Sequence, residues 1–391
     1  MIRIALILFL TLLIQIASAQ VSLQSVLDSI SVNNLQIKAS SQNRDAEISA
    51  ARTGLNPADP QVDYGYFPGS NSEIGTKTTL SISQSFYFPT FYARKKEGAV
   101  LSGEKSKALH RNNIRHILFD AASQYLELVY QDKYCTELRK RSADAEAVKT
   151  MFDKRVQKGD ANQLELNKVQ MEALHWSNEL SIAVARRTEK KQILTAMNGG
   201  RAIPFANPEY PMEQLLPVDT ILARAIHNDP ILRAMGFDLQ IAGNNVKLQK
   251  SLWLPQFKAG YGQETVLNGS YRGVQAGISI PLWQNKNTVR QAQLQQQSTE
   301  SSASSFLQQL QATINAKYQV VSSLKKNLDE YRKITESMHS KELLQKSLNS
   351  GNISVLEYYR ELSGWYEAYD RFLQSTRNYN LEMVYLKQYE W

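Results

Sequence analysis

Two stretches decide the fold of this chain: Lys158-Gly159-Asp160-Ala161-Asn162-Gln163-Leu164-Glu165 and Ser350-Gly351-Asn352-Ile353-Ser354-Val355-Leu356-Glu357. They lie 192 residues apart and share a pattern, a glycine followed at once by a polar residue and six residues later by an acid. Glycine commonly ends a helix, and a small polar side chain caps the next one. Each stretch therefore reads as the turn of a helical hairpin.

The sequence on either side of these turns supports long helices. All eleven prolines fall outside residues 90–203 and 282–391, and proline is what would break a helix interior. In the first stretch Ile114, Leu118, Ala121, Tyr125 and Leu128 alternate spacings of four and three, the seam of a coiled coil. Leu307, Leu310, Ile314, Val321, Leu324 and Leu328 keep the same register in the second. From Thr90 to Lys158 a helix rising 1.5 Å per residue would run about 100 Å, longer than any compact domain. The returning helix, about 160–198, is half as long, and a helical segment over 23–55 can supply the missing length by stacking on its end. A similar segment, 218–252, precedes the second hairpin.

Ahead of each hairpin sit two runs with strand periodicity. Val62, Tyr64 and Tyr66 alternate with Asp63 and Gly65, and Leu80 and Ile82 with Ser81 and Ser83. Later, Phe257, Ala259 and Tyr261 alternate with Lys258 and Gly260, and Val274, Ala276, Ile278 and Ile280 with Gln275, Gly277 and Ser279. One apolar face and one polar face is the pattern of barrel strands, and also of a small soluble sheet. The apolar positions Leu80, Ile82, Val274, Ile278 and Ile280 are the lipid-facing candidates.

The order helix, two strands, long helix, glycine turn, helix occurs twice. Asn33–Ala39 aligns with Asn228–Ala234 at an offset of 195, and Ile82–Phe86 with Ile278–Leu282 at 196. A duplication with small drift accounts for this. The expected organisation is a signal peptide at 1–19 and a first repeat at 20–200, with strands about 61–67 and 76–86 and a hairpin at 90–198. A proline-rich linker at 201–217 leads to a second repeat at 218–391, with strands about 256–264 and 273–282 and a hairpin at 286–390.

Composition bounds the function. The 391 residues are 42% hydrophobic and 21% charged, which excludes a disordered chain. A mean hydropathy of −0.40, with its one long apolar run at Ile4–Ile16, excludes a multi-helix transporter. That run follows Arg3 and ends in Ala17-Ser18-Ala19, a secretory cleavage pattern, and no cysteine follows it to carry a lipid. Removing Arg3 takes the formal net charge from +8 to +7; the charges are interspersed, so a nucleic-acid footprint is not expected. Cys135 is the only cysteine, which excludes an intrachain disulfide and a thiolate cluster within one chain, and it is expected to pack in a helix. The histidines (110, 116, 175, 227, 339) show no metal-ligand spacing, and no phosphate loop, dinucleotide motif or nucleophile elbow occurs. No enzyme, cofactor or metal site is expected. The run 288–305 (TVRQAQLQQQSTESSASS) is poor in apolar residues and reads either as the wall of a water-filled tunnel or as a solvated outer face.

An exported chain with two copies of a strand pair plus a long hairpin, and with a turn of glycine, five residues and an acid, resembles the TolC family of outer-membrane efflux proteins. The resemblance covers essentially the whole chain after the leader. It implies an α+β membrane protein: long periplasmic coiled-coil hairpins, four transmembrane β-strands per chain, and a homotrimer closing a twelve-stranded barrel in outer-membrane lipid. It also implies docking of the hairpin tips, Gly159 with Glu165 and Gly351 with Glu357, to a periplasmic adaptor (membrane fusion) protein and an inner-membrane efflux transporter. The acids would line a periplasmic aperture; the alternative is that they are first-turn acids held by the helix dipole. The run Ile280-Pro281-Leu282-Trp283-Gln284-Asn285-Lys286-Asn287 resembles relatives serving metal-efflux pumps, which implies metal ions or drugs as cargo. Physics reaches part of this unaided. Four strands with open edges cannot span a bilayer alone, and eight fill their interior with side chains, so a conducting pore needs at least three chains. The rival reading is a soluble periplasmic or secreted coiled-coil scaffold.

Overall fold

A computed structural model describes residues 22–337 and 340–391, apart from positions 206 and 213. The expected signal peptide and His339 lie outside the described residues. The first repeat holds helices α1 (Leu23–Asn33) and α2 (Leu35–Ala51), strands β1 (Gln61–Phe67) and β2 (Lys77–Phe86), and helices α3 (Pro89–Lys158) and α4 (Gln163–Met197). The second holds α5 (Val218–Asn228), α6 (Pro230–Ser251), β3 (Gln256–Val266), β4 (Gly269–Ser279), α7 (Thr288–Ser337), α8 (Ser340–Asn349) and α9 (Val355–Lys387).

The α3 helix runs unbroken for 70 residues. Pro89 is its first residue and no proline follows, which permits that length, and its heptad face stabilises it, since most helical stability in proteins comes from packing. The duplication is also visible in the caps. Asn34 ends α1 and caps α2, its Oδ1 accepting from the N–H groups of Gln36 and Ile37 at 2.9 and 3.0 Å. At the aligned position Asp229 caps α6, its Oδ1 accepting from Ile231 and Leu232 at 2.6 and 3.0 Å, with Pro230 in the first helical position where a missing N–H costs nothing.

The chain divides into two compact units. Unit 1 comprises residues up to Lys38, Ile114–Ala225 and Gln311–Trp391; unit 2 comprises Ala39–Asn113 and Ile226–Leu310. Unit 1 holds the apolar core. Leu118, Ala121, Tyr125 and Leu128 of the α3 seam are buried with Val26 and Ile30 of α1, Leu194 of α4 and Val384 of α9. Cys135 is buried beside Leu138 and Ala183, and desolvation raises its thiol pKa, so it packs as a small apolar group. A second cluster gathers Val148, Phe152, Leu166 and Val169 of the first hairpin with Leu348, Val355, Tyr358 and Tyr366 of the second. In unit 2 the buried apolar side chains include the small Ala108, Ala234, Val246 and Ala292. Polar contacts tie its helices together: Asn244 Nδ2 donates to the Arg94 carbonyl at 2.8 Å, Lys105 pairs with Asp238 at 2.7 Å, and Ser106 Oγ donates to Glu47 at 2.7 Å.

Between the two apolar clusters of unit 1 lies a buried charge. Arg141 has no solvent exposure; its guanidinium donates to both Asp370 oxygens at 3.0 and 2.7 Å and to Glu137 at 3.2 Å. The Tyr366 ring lies 4.2 Å from the guanidinium carbon and Trp176 5.3 Å. One cation thus joins α3, α4 and α9 by a two-pronged hydrogen bond and two ring faces. Removing it strands Glu137 and Asp370 without their partner. Arg141→Ala is expected to lower stability by about 3 kcal/mol, whereas Arg141→Met with Asp370→Leu, which removes the charges together, should recover most of that; urea unfolding followed by helical circular dichroism measures both.

Candidate functional site

The four strands form one antiparallel sheet in the order β1-β2-β3-β4. Alternate residues of a strand point to opposite faces, so the pairing decides which side chains share a face. Val62 pairs with Ile82, Ile82 with Tyr261, and Tyr261 with Val274. The neighbouring rows on that face are Tyr64, Leu80, Gln263 and Arg272 toward the turns, and Gln84, Ala259 and Ala276, then Phe86, Phe257 and Ile278, toward the helices. Most apolar positions of the four strands therefore turn the same way, and the face is open: Val274 is 89% exposed, and Val62, Tyr64, Leu80, Ile82 and Ile278 are exposed with it. A sheet face this apolar, left open, marks a contact with lipid or protein. Arg272 lies three residues from the β3–β4 turn, where its guanidinium can reach past the apolar zone.

The other face is small and polar except near the turns, where it carries Phe67, Val266 and Tyr271. Beyond them its rows are Asp63, Ser81, Gly262 and Gly273, then Gln61, Ser83, Gly260 and Gln275, then Ser85, Lys258 and Gly277. Lys77 and Glu264 pair on it at 2.5 Å near the turns. Gly260 has a packing reason, since a Cβ there would meet the Ile82 carbonyl oxygen at 2.8 Å. Where the strands lead into the helices, aromatic side chains gather. Tyr87 and Phe91 stack at 4.3 Å, Phe91 meets Tyr92 edge-on at 5.4 Å, and Phe88 sits 6.4 Å from Phe257, with Trp253 and Trp283 exposed nearby in the chain.

Leu80, Ile82, Val274 and Ile278 thus share one face, drawn from two strands, β2 and β4. Ile280 is exposed but lies beyond the end of β4 at Ser279. The fourth strand starts earlier than its alternation suggested, at Gly269, because Gly269, Ser270 and Tyr271 extend the ladder although they break the apolar pattern.

The two glycine turns are built alike. Gly159 has φ +81° and Gly351 φ +72°, the left-handed region, with open space where a Cβ would stand. The Gly159 N–H donates to the Val156 carbonyl at 3.0 Å and Asp160 to Arg155 at 2.8 Å; Gly351 to Leu348 at 3.1 Å and Asn352 to Ser347 at 2.9 Å repeat both bonds. These paired bonds close each helix on its glycine. The acids then close reciprocal caps. Asn162 Oδ1 accepts from the Glu165 N–H at 2.9 Å while Glu165 accepts from the Asn162 N–H at 3.1 Å; Ser354 and Glu357 make the same pair at 3.2 and 2.8 Å. Both carboxylates are therefore engaged with their own turns. The apolar cluster that joins Leu166 and Val169 to Leu348 and Val355 brings the two hairpins' turn regions together.

Sequence reasoning passed over one residue at each turn. Leu164 and Leu356, aligned residues of the two repeats, are 79% and 66% exposed. The signal was present, a leucine immediately before each capping acid, but the turns were read only through their glycine and their acid.

No known family's sequence profile matches the chain. Over 214 residues it is 22% identical to the cobalt-zinc-cadmium resistance protein CzcC of Cupriavidus metallidurans, a match covering 53% of this chain and 51% of that protein, so it spans about half the length of this curated relative. Solved structures resemble it over 94% of its length. The outer-membrane channel OprN superposes with a TM-score of 0.78 at 12% identity, over 89% of that chain, and the CmeC outer membrane channel of Campylobacter jejuni with 0.73 at 13%, over 85%. The fold is that of TolC-like outer-membrane channels.

Ser354 holds the Glu357 carboxyl below its ordinary range, chiefly through the backbone N–H and then through the hydroxyl. Because the folded value is depressed, the cap's contribution is complete above the ordinary glutamate pKa and is lost as pH falls through the lowered one. Ser354→Ala should move the Glu357 titration, read by carboxyl carbon NMR, back toward the ordinary value. Gly351→Val should cost about 1–2 kcal/mol from backbone conformation alone.

Proposed function

We propose that this chain with a TolC-like fold is the outer-membrane exit duct of a tripartite efflux system, passively conducting solutes and catalysing nothing. One observation carries the reading: the register places apolar residues of all four strands on a single open face. In water that face would cost about 25 cal/mol per Å² of exposed apolar area; against lipid it costs nothing. The polar face then lines a lumen, and the aromatic cluster at the strand ends sits at the headgroup level, where such residues anchor barrels. A soluble scaffold would leave the face open to water.

The sheet's outer strands, β1 and β4, each present one unpaired edge, which hydrocarbon does not tolerate. Further copies of the chain supply the partners, and the likeness to trimeric channels makes the number three. Helices α3, α4, α7, α8 and α9 form the periplasmic conduit. The turns at Gly159 and Gly351 dock a periplasmic adaptor, with Leu164 and Leu356 as apolar contacts beside the capped acids. Glu165 and Glu357, repeated three times around the axis, set the charge at the aperture. The match to CzcC, a cobalt-zinc-cadmium resistance protein, supports metal ions as the cargo.

Two experiments test this. The native protein should remain with outer membranes after high-salt washing; release into the soluble fraction would mean a scaffold. Within the sheet, Val274→Arg should impair trimer assembly by about 2–4 kcal/mol per chain, and Ile278→Arg, nearer the strand ends, by less, whereas Gln275→Arg should assemble normally and change conductance. Equal tolerance at Val274 and Gln275 would refute the lipid-facing assignment.

A further inference from the structure

We infer that the barrel's interior carries two opposed rings of fixed charge in series, Lys258 toward the helical end and Asp63 toward the turns, and that they make conduction rectify. This rests on the duct reading, which turns the polar face inward.

The register supplies the placement. Asp63 pairs with Ser81 and Lys258 pairs with Ser85, so both stand on the polar face, four residues apart along β2. At about 3.3 Å per residue that is about 13 Å, beyond the screening length of about 8 Å at physiological salt. They therefore do not neutralise each other. Asp63 accepts a hydrogen bond from Gln61 at 2.8 Å, which leaves its charge in place. Lys258 is exposed and makes no ion pair among the described residues, with Ser85 and Gly277 as its flanking partners on the face. The remaining charges of that face, Lys77 and Glu264, pair with each other near the turns. Arg272 projects from the opposite face. Between the two rings lies the row Gln61, Ser83, Gly260 and Gln275, which is uncharged.

Threefold repetition makes a cationic collar followed by an anionic one. Rings of lysine or arginine gather anions, and rings of aspartate gather cations. A potential negative on the helical side drives anions from the Lys258 zone and cations from the Asp63 zone into the neutral stretch between them, which fills with carriers. The opposite polarity empties it. Conductance is therefore higher with the helical side negative, the polarity that moves anions outward and cations inward. The asymmetry fades as salt is raised and each ring is screened within a few ångströms.

The experiment is single-channel recording of the full chain inserted from one side of a planar bilayer in potassium chloride. Wild type should conduct at least about twofold better at the favoured polarity in 0.1 M salt, where the screening length of about 10 Å stays below the ring separation, and equally in 1 M, where it is about 3 Å. Lys258→Glu and Asp63→Lys should each abolish the asymmetry and shift the reversal potential toward cations and anions respectively. The exchange Asp63→Lys with Lys258→Asp should invert it, which charge at the hairpin tips cannot do. Channels that are symmetric at 0.1 M, or an exchange variant with unchanged sign, overturn the two rings and leave the duct standing. Failure of wild type and every variant to form channels overturns both.

Discussion

Everything in this structure is organised around backbone hydrogen bonds that the chain cannot complete alone. The sheet has four strands, and the outer edges of β1 and β4 carry donors and acceptors with no partner among the described residues. In water such an edge is hydrated; in hydrocarbon it is not. On the duct reading proposed above, hydrocarbon is the favourable surroundings of the open apolar face, and the face and the edges together call for additional copies. The long hairpins suit the same reading, because a barrel closed by several chains needs its non-barrel parts to pack side by side around a common axis. Unit 2 illustrates the point: its buried apolar residues include small alanines, and polar ties hold its helices, as suits segments that complete their packing against neighbours.

Much of this was legible in the residues. Proline exclusion from 90–203 and 282–391 gave the long helices, and the seam residues Leu118, Ala121, Tyr125 and Leu128 are buried as their spacing requires. The strands were legible because alternation has a short period; their ends were less so, since Gly269–Tyr271 pair through the backbone and carry no apolar pattern. Register was not legible at all. That Ile82 meets Tyr261, and that Asp63 and Lys258 share a face, depends on pairing between segments distant in sequence. Arg141 was also invisible, because a buried cation is recognised by Asp370 and Tyr366 on another helix. The leucines at 164 and 356 were passed over because each turn was read through its glycine and its acid; both are exposed at the start of the returning helix.

The paired turns show which parts of a duplicated motif are chemically constrained. Asn162 and Ser354 differ, yet each accepts from the residue three positions on and receives the acid in return. Either side chain offers an oxygen at the right reach, so the cap tolerates exchange. The left-handed glycine does not, because a Cβ there is strained whatever space surrounds it. The acid is held by two bonds in the second turn's cap, from the N–H and the hydroxyl of Ser354, and this is a structural role it fulfils whether or not it also meets a permeating ion.

The central seam of the sheet, β2 against β3, joins one repeat to the other, with Phe86 opposite Phe257. Each outer pair, β1 with β2 and β3 with β4, closes over a short connection, but the seam closes only after the whole first hairpin and the linker have been made. Local pairings form quickly and distant ones slowly, since chain entropy must be surrendered before the contact rewards it. The helical hairpins and the two outer strand pairs are therefore the early products of folding, and the seam is the late one. During that interval two half-sheets, each with an apolar face, travel through the aqueous compartment unjoined. Apolar surface exposed in this way can pair with other chains, so the yield of folded chain is set by how quickly the seam closes more than by the stability of the finished sheet.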